Sequence, residues 1–566
     1  MKISYVCDTD FLVVGAGGAG IKAAIKAGEA GAKVLLVSKY KLGHTGSTFY
    51  PRLHIWGMNA VTREDLGDSE ENFLQEILDA GDGAADYELA KTLAYGVTPV
   101  FRELEREYGL EFSKGADGNY LSVIPCFGRI ERGAKTSMAD FKQAMWKRLM
   151  AAHVQVRSGI DVITLAMHDG KCCGALCFDE HGELAFFRAK AVFLGTGGGC
   201  GIFKYGLATP DQTGDGYIMA LDAGASLVNM EFIQFIPGIT WPVEKFLFQE
   251  KALDTMPELK NRLGQDFLLP YLPEDVTREA CLVERAKHGP FSTKGEGRYF
   301  DIAMYEGWRK GETFDSGGML LRYDKKVRED KRPFIQFLLE WLDQYKIDGT
   351  GKGFHLIPHA QGFNGGIHID VNAGAGVPGL YAAGETAGGP HGADRLGGNA
   401  LAASQVFGGI AGEKAAEYIK GVNLADVPES ELLEQLHARF DNPAGGLVDM
   451  QAGMREIKEI MWYDGAIVRS GDRCREGLDR IAQLEAAFNP LEHFEKGVGP
   501  RAALGLRSFY QLAEVLLTAM DFRRESRGPH YRLDYPESDP QFRGYASVKK
   551  KDGVLGVTLT ATDKGE

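Results

Sequence analysis

The sequence predicts an α/β fold: a discontinuous Rossmann-like domain with an inserted α+β capping domain and a C-terminal helical domain. Three short apolar segments, at 11–14, 191–194 and 379–383, each run directly into glycines. This is typical of buried parallel strands that end at a binding site. Apolar residues at helical spacing after residue 425 predict the helical domain.

The glycine-ended strands and the segments between them give the domain boundaries. Between 237 and 354, charged and aromatic residues become more frequent and the glycine-ended strands stop. In the tail, apolar residues recur every three or four positions over 429–440, 455–468, 473–488 and 501–524. We therefore expect a dinucleotide-binding domain at 1–236 and 355–424, a capping domain for the substrate at 237–354, a helical domain at 425–535 and a peripheral extension at 536–566.

The first unit of the chain has the order strand, glycine turn, helix, strand. Phe11–Val14 is continuously apolar, as a strand buried on both faces would be. Residues 15–20 read Gly-Ala-Gly-Gly-Ala-Gly, followed by a helical pattern over 21–30 and a second apolar strand over 33–37. A glycine-rich turn between a buried strand and a helix is the context in which this motif binds a dinucleotide.

Composition argues against several functional classes. The formal net charge of −14 argues against nucleic acid or an anionic membrane as the main partner. No apolar stretch approaches the ~20 residues of a membrane span, and residues 1–10 lack the basic and apolar regions of a secretory signal. We expect a cytoplasmic protein that acts on a small molecule and has no membrane span.

The eight cysteines do not predict a metal centre. They form no pair of Cys-x-x-Cys units, so a zinc or iron–sulfur site on this chain is not expected. Cys172, Cys173 and Cys177 lie on a strand-like segment, where we expect buried thiols. A metal site at these three residues is the weaker alternative.

The glycines of the first turn have the properties that phosphate binding requires. Backbone N–H groups must point at the anion without a side chain in the way, and the following helix adds its positive dipole end. An acidic residue is expected ~20 positions further on to hold the ribose hydroxyls, but Ser38 or Lys39 occupies that place. Ser38 still offers a hydroxyl for this hydrogen bond. The predicted contacts of the turn are Gly15, Ala16, Gly17, Gly18, Ala19 and Gly20.

The third glycine-ended strand favours FAD over a nicotinamide cofactor. Gly384 and Glu385 follow this strand, and Glu385 is placed to bond a ribityl hydroxyl. A helix that opens near Asn399, Ala400 and Leu401 would direct its N-terminus at the flavin ring. A reduced flavin carries negative charge, which a positive helix end stabilises. A nicotinamide-binding protein needs no such third element.

These motifs and others along the chain resemble those of the flavoprotein subunits of fumarate reductase and succinate dehydrogenase, and also of L-aspartate oxidase. The resemblance covers most of the chain and is specific for FAD. The segments that carry it are 13–20, Ser38-Lys39, Gly46-Ser47-Thr48-Phe49-Tyr50, 189–199, 213–216, 230–235, 379–385, 391–399, Met461-Trp462 and 526–532.

The resemblance implies both substrate and cofactor contacts. In that family a flavin hydride adds to one carbon of an activated double bond, an arginine protonates the other carbon, and arginine and histidine side chains clamp the substrate carboxylates. Arg395 matches one clamp arginine, and a structural ion pair with Asp394 or Glu385 is the alternative. The further cofactor contacts expected are Gly46, Ser47, Thr48, Val162, Thr196, Gly197, Gly198, Asp215 and Arg395.

The substrate-binding positions depart from the family pattern. Ile236 and Gln361 stand where the family has its two histidines, and Glu274 aligns with the proton-donor arginine. The family's Thr-Glu-Gly segment is missing from 238–260. Succinate and fumarate are therefore not the expected substrates, and Ile236 indicates a less polar one.

Four residues are candidates for catalysis in the altered pocket: Arg395, Arg278, His359 and Gln361. Arg278 lies one helical turn from Glu274 and would present a proton from the same face, with a surface Glu–Arg pair as the alternative. His359 and Gln361 precede Gly365-Gly366 and are expected to line the pocket. A structural role is the alternative for His359.

The mode of FAD attachment also differs from that of some family members. Those members attach FAD covalently through a histidine in the first flavin loop. Ser47 occupies that position here, with His44 three residues earlier. Since serine does not form this bond, we expect noncovalent FAD.

Three hypotheses for function follow from these residues. The leading one is an FAD-dependent reductase or dehydrogenase that acts on a carbon–carbon bond next to a carboxylate or carbonyl. The second is an oxidase of an amine or amino acid, as L-aspartate oxidase suggests. The third is an electron-transfer protein that works with an iron–sulfur or ferredoxin-like partner. An adenylylsulfate-reductase-like role is more distant, because that group differs around 391–399.

Overall fold

The computed structural model describes residues 1–44, 46–49, 57–248 and 250–562 of the 566. Tyr50, the last residue of the motif at 46–50, lies outside the described residues. The described helices and strands have the predicted α/β arrangement. None of these helices is both long enough and apolar enough to cross a bilayer.

Helices alternate with strands in the first three quarters of the chain and predominate after residue 428. One tail helix, Glu429–Phe440, has the predicted bounds. Two others begin before their predicted starts because Asp449 and Ser470 cap them, each accepting hydrogen bonds from first-turn N–H groups. The helices are Gly18–Glu29, Glu70–Gly81, Tyr87–Arg106, Met138–Ala151, Asp215–Asp222, Arg278–Arg285, Arg298–Arg309, Pro333–Gln344, Asn399–Tyr418, Glu429–Phe440, Met450–Gly465, Gly471–Ala486, Pro490–Glu495 and Pro500–Phe522.

A parallel sheet brings the three glycine-ended strands together. Its described strands lie in the order Leu380–Ala382, Ala191–Leu194, Phe11–Val14, Val34–Ser38 and Gln155–Ser158. The helices Gly18–Glu29 and Asn399–Tyr418 pack against each other, so the two parts of the discontinuous domain share one core. Because the strands are parallel, their glycine-rich carboxyl ends meet at one edge of the sheet.

The inserted segment has a hydrophobic core of its own. Two long antiparallel strands, Ile233–Trp241 and Phe354–Phe363, connect it to the cofactor-binding domain. Phe235 lies in the main core and Ile239 in the second core, so one strand runs through both. The cap sheet has the strand order Phe246–Leu247, Ile233–Trp241, Phe354–Phe363, Met319–Arg322 and Glu258–Lys260.

The three clustered cysteines lie in a separate mixed sheet, in which Tyr5–Asp8 pairs in parallel with Leu184–Arg188 and the other pairings are antiparallel. Cys172, Cys173 and Cys177 are buried and free on strand Lys171–Phe178, as predicted. This sheet has the order Tyr5–Asp8, Leu184–Arg188, Lys171–Phe178 and Asp161–His168. In two small sheets, Val468–Arg469 pairs with Tyr531–Arg532, and Gly133–Lys135 pairs with Gly57–Asn59 on one side and Ser122–Val123 on the other.

The C-terminal extension is not loosely attached. It forms the hairpin of Gly544–Lys551 and Val554–Ala561, and the first of these strands pairs with Leu227–Val228. Ala546 and Val548 are fully buried in this contact. The sheet has the order Ala387–Gly388, Gly366–His368, Leu227–Val228, Gly544–Lys551 and Val554–Ala561.

Buried ion pairs hold the tail against the start of the cap strand. Arg523 donates to Glu231 Oε1 at 2.5 Å and to Glu525 Oε1 at 2.8 Å, and all three side chains are fully buried. Arg469 donates to the Glu231 carbonyl at 2.7 Å. Removing one partner of such a pair costs about 3–5 kcal/mol, because the other charge stays buried. The tail therefore fixes the position from which Ile233–Trp241 enters the cap.

Candidate active site

A cavity of about 400 Å³ lies where the carboxyl ends of the parallel strands meet the cap. Its size is within the ~300–1,000 Å³ of ligand pockets in proteins. Gly20, Gly198 and Asn399 do not line it. The predicted cofactor residues that line it are Gly15, Ala16, Gly17, Gly18, Ala19, Ser38, Lys39, Gly46, Ser47, Thr48, Val162, Thr196, Gly197, Asp215, Gly384, Glu385, Arg395, Ala400 and Leu401.

The glycine turn forms one wall of the cavity from bare backbone. Gly15 has a left-handed φ of 105°, and a Cβ there would collide with the Gly195 carbonyl. A Cβ on Gly20 would collide with the Gly15 carbonyl, so the helix packs directly on the turn. Gly17 is the N-cap of helix Gly18–Glu29, and Thr48 Oγ1 accepts the Gly18 N–H at 3.1 Å. The remaining first-turn N–H groups and the helix dipole favour an anion here.

Lys39 and Ser38 occupy the place of the missing acidic residue. Burial opposes the charge of Lys39, yet its pKa is raised because Nζ lies 2.6 Å from Asp215 Oδ2. Ser38 Oγ donates to the Tyr40 carbonyl at 2.7 Å, which leaves its lone pairs free to accept a hydrogen bond from a hydroxyl. The hydrogen bond from Ser38 to a ribose hydroxyl stays a prediction, and the position of Ser38 in the cavity wall is compatible with it.

Glu385 places a carboxyl group against the cavity wall. Its Oε1 accepts the Phe363 N–H at 3.1 Å, and a Cβ on Gly198 would collide with the same carboxyl. Burial raises the pKa of Glu385 to about 7. A carboxyl group in this state suits contact with a hydroxyl, which donates to its charged form and accepts from its neutral form.

A second helix points its N-terminus at the cavity. Helix Asn399–Tyr418 begins after Gly398, which has a left-handed φ of 85° and no side-chain cap. Ala400 and Leu401, in its first turn, line the cavity. Asn399 lies behind them, where its Oδ1 accepts from Asn59 Nδ2 at 2.6 Å. This end is positive, as required to stabilise negative charge on a flavin ring.

A β-bulge directs Gln361 into the cavity. Gln234 pairs with Gly362 and Phe235 with Ala360, so Gln361 is the extra residue of its strand. His359 pairs with Ile236 on the regular side of the bulge, and neither residue lines the cavity. The two predicted pocket residues are thus separated although they are only two positions apart.

Arg395 places a half-buried cation at the end of the cavity next to the cap. Its Nε and Nη2 donate to Gln234 Oε1 at 3.1 and 2.9 Å, and Nη1 donates to the Leu396 carbonyl at 3.0 Å. Burial lowers the pKa of its guanidinium. Among the residues that the structure describes, Arg395 forms no ion pair with Asp394 or Glu385. Its charge is therefore available to a ligand.

Three other polar side chains at this end have atoms without a partner in the described chain. They are Gln234 Nε2, Gln361 Oε1 and His391 Nδ1. Burial and the neighbouring Arg395 lower the pKa of His391 to about 3, so its ring is neutral. Unpaired polar atoms of buried side chains are costly, and a ligand in the cavity would satisfy them.

Two predicted catalytic residues lie away from the cavity. Arg278 begins helix Arg278–Arg285 and donates to Asp266 Oδ2 at 3.0 Å and to the Pro257 carbonyl. His359 is buried, with Nδ1 2.8 Å from the Ile357 carbonyl and its ring against Tyr205. These contacts favour the structural alternative for both residues. Arg278 pairs with Asp266, however, and not with Glu274.

The structure adds cavity residues that sequence reasoning did not assign. Gln234 and His391 lie within the recognised motifs, so their types were visible but not their orientation. Lys245 and Leu247 line the cavity from the turn and short strand after Ile233–Trp241, where no motif marks them. Gln212 also lines it, and its Nε2 donates to Ser47 Oγ.

The arrangement fits FAD along its length. A backbone wall and helix N-terminus suit the diphosphate, Ser38 and Glu385 offer acceptors for sugar hydroxyls, and the helix end at Ala400 suits a flavin ring. A Cβ on Gly17 would contact only Thr48 Oγ1, at 3.6 Å, so no other protein atom fills the space beside Gly17. This space is where the diphosphate is expected.

Comparisons with known proteins agree with this fit. The profile of the FAD binding domain family matches residues 10–401, and that of the fumarate reductase flavoprotein C-term matches 454–563. A fumarate reductase (CoM/CoB) protein of Methanothermobacter marburgensis, one of that enzyme's subunits, is 30% identical, over 97% of this chain and 98% of that protein. L-aspartate oxidase of Yersinia pestis is 28% identical, over 94% and 96%. The structure of Mycobacterium smegmatis Sdh1 in complex with UQ1 has a TM-score of 0.83 at 26% identity, over 99% and 95%.

Fold and cavity together define an FAD-dependent oxidoreductase. The family matches extend over most of the chain and cover the glycine turn and the helical tail. The chain belongs to the family of fumarate reductase and succinate dehydrogenase flavoproteins. The sequence predictions of this family, of FAD and of oxidoreductase chemistry are confirmed.

Replacing Gly17 by alanine should weaken FAD binding without preventing the protein from folding. Its φ of −78° accepts any residue, so we expect Gly17→Ala to fold. The added methyl group would stand between the helix N-terminus and the diphosphate, and overpacking of this kind costs about 1–3 kcal/mol. FAD affinity should fall about tenfold or more, measured by titrating the apoprotein with FAD.

Gly421→Ala is the matched control. A Cβ at Gly421 meets no atom within 4 Å, and this residue does not line the cavity. Its FAD affinity should equal that of the parent protein. Equal FAD affinity of the two variants would contradict the assignment of the glycine turn.

The raised pKa of Glu385 predicts a pH-dependent effect of Glu385→Gln. The pKa of Glu385 is about 7 in the folded protein, against 4.5 for an unperturbed glutamate in the unfolded chain. Between these two pH values the folded state therefore binds more protons than the unfolded state. Stability of the parent apoprotein is therefore lost as pH rises from about 4.5 to 7. Glu385→Gln has no titrating carboxyl group at this position, so its free energy of unfolding should rise relative to that of the parent by up to about 3 kcal/mol between pH 4.5 and 7. Denaturant unfolding of both apoproteins at several pH values measures it; a pH-independent difference would contradict the shift.

Proposed function

We propose that this flavoprotein oxidises or reduces a carbon–carbon bond next to a carboxylate or carbonyl group of a small organic molecule. The observation that carries the proposal is Arg395, a half-buried guanidinium that lines the cofactor cavity without a carboxylate partner among the described residues. A charge that is partly removed from water and has no ionic partner is costly, so an anionic or strongly polarised ligand group is expected beside it.

Arg395 would hold the substrate through its carboxylate or carbonyl oxygen. Bound FAD supplies or accepts the hydride. Gln234 fixes the guanidinium from one side through two hydrogen bonds to Oε1, which leaves a defined orientation toward the ligand. A fixed guanidinium also stabilises negative charge that develops on this oxygen during the reaction. The cap strands line this end of the cavity.

The polar groups around Arg395 favour a substrate other than a four-carbon diacid. Where the family has two histidines, this chain has Ile236, which does not line the cavity, and the uncharged Gln361, which does. His391 is neutral as well. A second carboxylate close to the first would therefore lack a cationic partner at these positions.

We propose further that FAD is bound noncovalently and that electrons are exchanged with an iron–sulfur or ferredoxin-like partner in the cytoplasm. Ser47 lines the cavity at the position where some family members have a histidine that attaches FAD covalently. A serine side chain does not form this covalent bond. The partner is supported by relatives that are themselves parts of larger enzymes, including the fumarate reductase (CoM/CoB) protein of Methanothermobacter marburgensis.

An amine or amino-acid oxidase is the second candidate. It is favoured by the match to L-aspartate oxidase of Yersinia pestis, which extends over 94% of this chain. The two functions differ in their electron acceptor, because an oxidase forms hydrogen peroxide from oxygen during turnover.

Assays with a panel of enoates and a reduced viologen donor test the leading function. We expect oxidation of the donor by at least one enoate. In Arg395→Lys, kcat/KM should fall about 100-fold, because lysine loses the bidentate geometry while FAD content is kept. Arg278→Lys is a matched change at an arginine outside the cavity and should leave kcat/KM unchanged.

Three outcomes would contradict the proposal. No enoate would oxidise the donor, or Arg395→Lys would be as active as the parent, or peroxide would form with amines while every enoate failed. The last outcome would establish the oxidase instead. Loss of activity in Arg278→Lys would restore the proton-donor role that the sequence predicted.

A further inference from the structure

Lys245 is a second cation at the cap end of the cavity. It lies in the turn between strands Ile233–Trp241 and Phe246–Leu247, with a left-handed φ of 60°, and its N–H donates to the Ile239 carbonyl at 3.1 Å. The residue is exposed and lines the same cavity as Arg395. Within the described chain its ammonium group has no hydrogen bond or ion pair.

A further unpaired lysine increases the positive charge beside this turn. Lys458 is half-buried in helix Met450–Gly465 and, among the described residues, also lacks an acidic partner. Burial and the charge of Lys245 lower the pKa of Lys458. Two lysines without an acidic partner among the described residues thus lie near each other where the cap meets the helical tail, in a chain whose net charge is −14. Such a site attracts an anion.

One strand contacts both Arg395 and the turn that carries Lys245. Arg395 is held by Gln234, and the Lys245 backbone is held by Ile239, five residues further along the same strand. At ~3.3 Å per residue the two holding points are about 16 Å apart. Leu247 pairs with Gly238, between these points, and lines the cavity. The intervening wall is therefore partly apolar.

We propose that the substrate carries a second anionic group, remote from the reacting bond, and that Lys245 binds it. The substrate class is an unsaturated carboxylic acid longer than a four-carbon diacid. One carboxylate lies at Arg395, an apolar spacer passes Leu247, and a carboxylate, sulfonate or phosphate group lies at Lys245. This inference rests on the proposed function, since it assumes that Arg395 holds the reacting end.

Binding of saturated acids to the oxidised holoenzyme tests the inference without turnover. The probes are octanoate, suberate, dodecanoate and dodecanedioate, and the change in flavin absorbance gives each Kd. A hydrogen bond to a charged group contributes about 1.5–3 kcal/mol, so at least one diacid should bind about tenfold or more tightly than the monoacid of equal length. Lys245→Met should abolish this preference and change monoacid binding by less than about twofold.

Lys251→Met is the matched control. Lys251 is exposed on the same cap, lies over the Phe334 ring at 5.5 Å and does not line the cavity. This variant should keep the diacid preference of the parent. Rising ionic strength should reduce the preference in the parent, because the Lys245 contact is exposed.

Two results would overturn the inference. The parent would bind mono- and diacids of both lengths with equal affinity, or Lys245→Met would lose affinity for monoacids and diacids to the same extent. Enoates of the same lengths then separate this inference from the proposed function. Turnover of enoates without a diacid preference would remove only the inference. A Lys245-dependent diacid preference without any enoate turnover would keep the second anion site and remove the proposed reaction.

Discussion

Direct backbone contact among three glycines is the constraint on which the cofactor site depends. The Gly15, Gly20 and Gly195 backbones are so close that a Cβ at Gly15 or at Gly20 would collide with a carbonyl group. This contact sets the distance between the first helix and the two central strands of the parallel sheet. It leaves Gly17 at the cavity wall with nothing between the helix N-terminus and a diphosphate. Glycine is required here because close packing and bare backbone are needed at the same place.

The two ends of the cavity are built in different ways. Backbone N–H groups and helix ends form the cofactor end, and these change little when side chains change. The cap end consists of Arg395 and His391 together with side chains on Ile233–Trp241, on Phe354–Phe363 and on the turn at Lys245. Buried ion pairs from Arg523 to Glu231 hold the first of these strands in place. The division is consistent with the proposal that the redox chemistry of the family is kept while substrate recognition differs at positions such as Gln361.

The cofactor end was predictable from the sequence because its requirements are local. A buried strand that runs into glycines has a recognisable pattern, and the three strands of this type are neighbours in one sheet. The cap end was less predictable because it depends on strand register. His359 and Gln361 were both expected in the pocket because both precede Gly365-Gly366, and residues two apart normally share a face of a strand. The bulge at Gln361 separates them. Lys245 lines the cavity because the chain turns back after strand Ile233–Trp241, which no sequence motif marks. Arg278 lies outside the cavity, where it donates a hydrogen bond to Asp266.

The flavin content of the purified chain tests the central claim most directly. The protein is denatured with acid, the precipitate is removed, and flavin is quantified in the supernatant and the pellet. If backbone N–H groups bind FAD noncovalently, we expect about one FAD per chain, all of it in the supernatant. A native chain that is colourless and stays so after incubation with FAD would contradict the assignment of the cavity. Flavin retained in the pellet would contradict noncovalent attachment.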